Sequence, residues 1–147
     1  MPDRVYSGAG IEVRYDVARC RHVEACVHGL PRVFAPGRRP WIVPDEESAS
    51  ELVAEVVRRC PTGALHYTLA GGVGEVPDGV TTGAPVPDGP LIVRGDLRID
   101  VGPGQVVAET RAALCRCGAS ANKPFCDGSH ERIGWRSAGR DAVPDAD

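Results

Sequence analysis

Six cysteines and one histidine hold most of the reactive chemistry in this 147-residue chain: Cys20, Cys26, Cys60, Cys115, Cys117, Cys126 and His130. The cysteines fall into two groups of three, with none between 60 and 115. A thiol can act as a nucleophile, a disulfide partner or a soft metal ligand, and the redox compartment decides among these. The N-terminus, Met1-Pro2-Asp3-Arg4, has no basic start leading into an apolar run, so the expected compartment is the reducing cytoplasm. Disulfides rarely persist there, and metal or redox chemistry becomes the first expectation.

In the second group the chain reads CRCGASANKPFCDGSH from Cys115. Alternate residues of a straight strand point to opposite faces, so Cys115 and Cys117 converge only if the chain bends, and Gly118 permits a bend. Cys126 and His130 are four apart and share a face if a helical turn starts between them, with Asp127-Gly128-Ser129 as turn and cap. Free amides at such a helix start suit a negatively charged group, and Pro124 fixes the approach to the loop. A Cys3His set also suits structural zinc, although zinc motifs usually begin C-x2–4-C and this one begins C-x-C.

The full spacing, C-x-C-x2-S-x3-P-x-C-D-G-S-H, resembles without a departure the signature of the CDGSH iron–sulfur (mitoNEET-like) family. GPLIVRGDLRI and the run into Ala113-Leu114 are similar to the β-rich lead-in of its bacterial members. The resemblance implies a 2Fe–2S cluster ligated by Cys115, Cys117, Cys126 and His130. Imidazole in place of one thiolate removes a negative charge and raises the reduction potential. It also makes the bond acid-sensitive, because only an unprotonated nitrogen ligates iron. Arg116, Lys123 and Arg132 are near in sequence and favour the reduced state if they face the cluster.

In the first group Cys20 and Cys26 are spaced C-x5-C, and Cys60 opens Cys60-Pro61-Thr62-Gly63-Ala64-Leu65. A bacterial ferredoxin has C-x2-C-x2-C and a remote Cys-Pro. Here Val23 stands at the middle position, leaving three thiolates, and a 3Fe–4S cluster is the direct expectation. His22, two residues after Cys20, is the possible fourth ligand of a 4Fe–4S alternative. Residues 10–69 resemble the divergent mono-cluster ferredoxin family, through Cys-x-His at 20–22, Pro31-x-Val33-Phe34, Pro40-Trp41-Ile42 and CPTGAL. His28 and His66 read as ordinary surface residues, and Trp41 and Trp135 as packing.

The elements that must position these groups are short. Ile11-Glu12-Val13-Arg14-Tyr15 alternates like a half-buried strand, and His66-Tyr67-Thr68-Leu69 reads as a closing strand. Ala49, Leu52, Val53, Val56 and Val57 mark one face of an amphipathic helix, started by an Asp45 cap and ending at Cys60-Pro61. The segment AGGVGEVPDGVTTGAPVPDGP, residues 70–90, has almost no bulky residue and reads as a linker. The expected organisation is α+β: a small ferredoxin-like domain at 1–70, a linker at 71–89, a mostly β CDGSH domain at 90–138 and a flexible tail at 139–147. Domains this small need a staple, and the clusters supply it, so the metal-free chain is expected to be loose.

Composition narrows the function. Hydrophobic residues are 42%, charged residues 25% and aromatics only 5%, as in a soluble globular chain with a thin core. The net charge of −3 offers no basic excess for nucleic acid, and no apolar run is long enough for a bilayer. There is no dinucleotide-binding glycine turn, no phosphate loop and no nucleophile with an obvious base. The expectation is therefore an electron carrier rather than an enzyme, working with a reductase donor and an acceptor enzyme, as monomer or homodimer. The alternatives are cluster storage, transfer or pH sensing through a labile His130 ligand, and, more weakly, a zinc-bound scaffold.

Overall fold

Backbone pairing in the computed structural model, which describes residues 4–137, builds one antiparallel sheet in each half of the chain. The chain divides into two units, Met1–Val76 and Pro77–Asp147. Both are mostly β. The tail 139–147 lies outside the described residues.

The first unit pairs β1 (Arg4–Ser7), β2 (Ile11–Tyr15), β3 (Leu65–Leu69) and β4 (Val73–Gly74) in that order. The alternation in β2 buries Ile11, Val13 and Tyr15 on one face, as its pattern requires. Against that face packs α2 (Ser50–Arg58), which buries Val53, Ala54, Val56 and Val57. Each fully buried Val stabilises the unit by roughly 1.5–3 kcal/mol relative to exposure. Phe34, Ile42 and Val33 complete the core, and Trp41 meets Tyr15 edge-on at 5.1 Å.

Three expectations need correction here. Asp45 does not cap α2: the helix starts at Ser50, and Asp45 sits in a 3₁₀ turn (Pro44–Glu46), accepting the Ala9 N–H at 2.8 Å. The five residues 45–49 are consumed by that turn and by Glu47, which accepts the Ala49 N–H. Leu52 is 46% exposed and Ala54 is buried instead, a rotation of the apolar face set by where the helix meets the sheet. His66 is not a surface residue: its side chain is 15% exposed and its Nδ1 lies 2.8 Å from Oε1 of the nearly buried Glu75.

The second unit pairs β5 (Thr82–Pro85), β6 (Leu91–Gly102) and β7 (Gln105–Leu114). The Gly/Pro-rich segment read as a linker thus supplies two strands, β4 and β5. Ladder hydrogen bonds need only backbone, so Thr82 to Pro85 pair with Leu91 to Arg94 without bulky side chains. After β7 the chain turns through the cysteine loop, and Leu114 makes a bridge with Phe125. A short helix, α3 (Ser129–Arg132), follows. Among the described residues no helix is long and apolar enough to cross a membrane.

Candidate metal centres

The second unit gathers its four candidate ligands as two pairs. Leaving β7, the chain bends at Gly118 (φ +84°), a left-handed conformation that glycine adopts without steric cost. The bend brings Cys115 Sγ and Cys117 Sγ to 3.8 Å. Two backbone bonds then seat the next stretch beside β7: Cys115 N–H to Pro124 O, and Cys126 N–H to Ala113 O, each 2.8 Å. Gly128 (φ +88°) turns the chain into α3, and His130 Nδ1 comes to 3.6 Å from Cys126 Sγ. Asp127 holds this corner, accepting Ser129 N–H at 2.9 Å, Ser129 Oγ at 2.6 Å and Ala121 N–H at 2.9 Å. The Ser129 amide is therefore committed to Asp127 and is not a free donor.

These separations test the fit of a metal. Two thiolates ~2.3 Å from one tetrahedral ion are ~3.8 Å apart, and a thiolate and an imidazole nitrogen at ~2.0–2.1 Å are ~3.6 Å apart. Each pair thus has the span of one tetrahedral edge. Among the described residues no three His, Cys, Asp or Glu side chains converge on one metal ion. Each pair on its own therefore fits one metal atom.

Backbone amides already point at the sulfurs. Gly118 N–H reaches Cys115 Sγ at 3.2 Å and Ala119 N–H reaches Cys117 Sγ at 3.3 Å. Burial raises the Cys115 thiol, but amides from Ser120, Gly118 and Cys117 outweigh it and leave the thiol below its ordinary value. Donors arranged this way favour thiolate and stabilise a negative cluster. The three nearby cations are directed elsewhere or stand apart. Arg116 reaches carbonyls at 86 and 89, Arg132 lies beside Asp127 and Ser129, and Lys123 is exposed.

In the first unit Cys20, Cys26 and Cys60 line one pocket with Tyr15, Val23, Trp41 and Thr62. Each thiol arrives on a different element. Cys20 closes a 3₁₀ turn (Val17–Arg19) after β2. Cys26 lies on α1 (Ala25–Gly29), and Cys60 follows α2. Buried Arg19 joins two of these segments by donating to Thr62 O at 2.8 Å, and Thr62 Oγ1 lies 3.4 Å from Cys60 Sγ. Burial, then the neighbouring Cys60, pushes the Cys26 thiol up to about 11. Tyr15 is raised far above its ordinary range by burial and then by its hydrogen bond with the Cys20 side chain.

His22 is exposed and off the cavity lining; its backbone N–H, not its ring, approaches Cys20 Sγ at 3.4 Å. His22 and Glu24 both have positive φ, +56° and +67°, on either side of Val23. Such left-handed non-glycine residues persist only where the surroundings over-determine them. The sequence did not mark Tyr15 and Thr62 as pocket lining or Arg19 as the tie behind Thr62, because none is a cysteine or histidine at a ligand spacing.

Comparison with known proteins agrees with both halves. The family described as divergent 4Fe-4S mono-cluster matches residues 6–70, and the family described as iron-binding zinc finger CDGSH type matches residues 88–131. The chain is an iron–sulfur protein. The protein YjdI of Escherichia coli (strain K12) is 42% identical over 64 residues, covering 44% of this chain and 83% of YjdI. YjdI of Escherichia coli O157:H7 matches with the same figures. No solved structure matches. The chain belongs to the divergent 4Fe-4S mono-cluster family and bears a CDGSH-type domain behind that module.

Proposed function

We propose that the protein is a two-centre electron carrier, not an enzyme, with a 2Fe–2S cluster held by Cys115, Cys117, Cys126 and His130 and a 3Fe–4S cluster held by Cys20, Cys26 and Cys60. The observation that supports this most is the pairing at 3.8 and 3.6 Å, one pair per iron. Bound clusters of these types supply one-electron transfer. The chain's own part is to seat the thiolates, direct amides at them and keep water from much of the N-terminal cavity. Three thiols with His22 outside the lining favour 3Fe–4S there, and the family's description favours 4Fe–4S as the second form. Its partners in this reading are a donor reductase and an acceptor enzyme in the cytoplasm, met through small transient surfaces by a monomer or homodimer.

A second reading, cluster delivery, draws on His130 itself. It supplies the one nitrogen donor of the set, and its Nε2 lies 3.8 Å from exposed Glu131. Purification without oxygen, followed by iron, sulfide and zinc counts and EPR, tests both. About five irons with an oxidised 3Fe–4S signal and a reduced 2Fe–2S signal are expected. About six irons without the oxidised signal would select 4Fe–4S, and zinc without sulfide would refute the redox reading. Redox cycling without iron loss separates a carrier from a donor.

A further inference from the structure

Arg116 stands between two candidate ligands, and the sequence offers it only as a nearby charge. In the structure it faces away from that role. Its Nε–H donates to Gly89 O at 2.9 Å and its NH2 group to Val86 O at 2.8 Å, and its guanidinium carbon lies 5.2 Å from the centre of the Trp135 ring. Trp135 in turn donates its backbone N–H to His130 O at 2.9 Å. The third corner is the turn at 86–90, closed by Gly89 N–H to Val86 O at 2.9 Å and Val86 N–H to Pro90 O at 2.8 Å. Asp88 fastens that turn to the end of the described chain. Its N–H donates to Ser137 Oγ at 2.8 Å, and its carboxylate accepts Ser137 N–H at 2.8 Å and Arg136 NH1 at 3.0 Å. A Cβ at Gly89 would meet Val86 at 3.1 Å, so the turn has little freedom to take another shape.

We propose that Arg116, Trp135 and the 86–90 turn form a clasp that holds the His130 arm against the Cys115–Cys117 loop and sets how fast the C-terminal centre gives up iron. This rests on the cluster reading above. On the Cys126 side the arm is tied by the backbone bonds to β7; beyond α3 the clasp supplies a tie that does not pass through metal. Opening the Cys126/His130 pair requires α3 to swing, and the swing must break the Arg116 fork or its stacking on Trp135. Arginine suits this place because its planar fork can serve two carbonyls and lie on a ring at once, which lysine cannot. Arg116 is a positioning residue: it acts on the centre through the arm.

The test uses the whole cluster-bearing chain at fixed neutral pH with excess iron chelator, following loss of the 2Fe–2S visible absorption. Arg116→Gln is expected to speed loss about ten-fold, from two charge-assisted bonds weakened. Trp135→Ala should speed it about three-fold and Trp135→Phe hardly at all, since a phenyl ring still receives the cation. The double variant R116Q/W135A should be no faster than R116Q alone, because both break one contact. The reduced 2Fe–2S EPR signal and the potential should stay as in the parent, while hydrogen exchange at the Trp135 amide rises with the loss rate. An unchanged rate in R116Q, or a double variant equal to the product of the singles, overturns the clasp. If R116Q assembles no centre, the W135A and W135F pair decides: equal rates for the two overturn it. A parent protein without sulfide in this unit sinks the cluster reading and the clasp together, whereas a sulfide-bearing parent with an indifferent R116Q sinks the clasp alone.

Discussion

Replacing Asp127 by Ala should loosen the C-terminal ligand corner more than any other single change outside the ligands. The carboxylate makes three bonds: two to Ser129, which opens the helix of His130, and one to Ala121, which follows the Cys115–Cys117 loop. Loss of a cap costs about 0.5–2 kcal/mol, and a bond to a charged group about 1.5–3 kcal/mol. These overlap on one side chain that is only 15% exposed, so the sum for D127A is set at about 2–3 kcal/mol. That corresponds to about 30- to 150-fold more frequent opening of the corner. Asp127→Asn should fall about halfway, since its oxygen can serve Ser129 while its amide meets the Ala121 N–H donor to donor. Hydrogen exchange at the Ala121 and Ser129 amides in the cluster-bearing protein reads this directly. Protection within two-fold of the parent in D127A would refute the reasoning. The pH sign follows from the same contacts. Ser129, then Ala121, with Arg132 beside them, holds the Asp127 carboxyl well below its ordinary value. Its contribution is full above that ordinary value and is lost only as pH falls through the depressed one. Cluster loss in mild acid therefore belongs to another group, and D127N should leave its pH midpoint in place.

Tyr15→Phe removes the hydroxyl beside Cys20, and with it a bond that favours the more negative state; EPR-monitored titration should show the N-terminal centre's potential falling by tens of millivolts. Val57→Ala, at a fully buried site, should cost the first unit about 2 kcal/mol, seen as a lower denaturant midpoint at unchanged slope. Removing iron with a chelator should lower amide protection most at Gly118, Ala119 and within α3, because α3 has one turn and little apolar cover of its own; full retention of protection would contradict the stapling argument.

The approach of the candidate ligands in two close pairs was legible because spacing is a local property. Cys115 and Cys117 around a bend at Gly118, and Cys126 with His130 across one turn, are settled within sixteen residues of chain. The strands Ile11–Tyr15 and Leu65–Leu69 were legible for the same reason, through period-two alternation and the β-branched and aromatic content. What escaped depends on partners remote in sequence. Asp45 looks like a helix cap until the Ala9 amide, thirty-six positions away, claims it. Residues 82–85 look like linker because their composition is poor, yet their partner β6 is a strong strand and imposes the pairing. Arg116 looks like a tuning charge until the carbonyls at 86 and 89 are placed beside it. Tyr15 is recognisable as core but not as a neighbour of Cys20, since only the fold brings them together.

The contact between His66 and Glu75 decides where a knife can fall. Read by composition, the first module ends near Ala70, where the glycines begin, and a fragment stopping there would keep every cysteine of its centre. It would also strip β4 from the edge of the sheet and remove the 2.8 Å bond between His66 and Glu75. A fragment carried through Val76 retains both. A cut at 76 keeps the four-stranded sheet whole and a cut at 70 frays its edge, a difference of six residues that hold none of the candidate ligands.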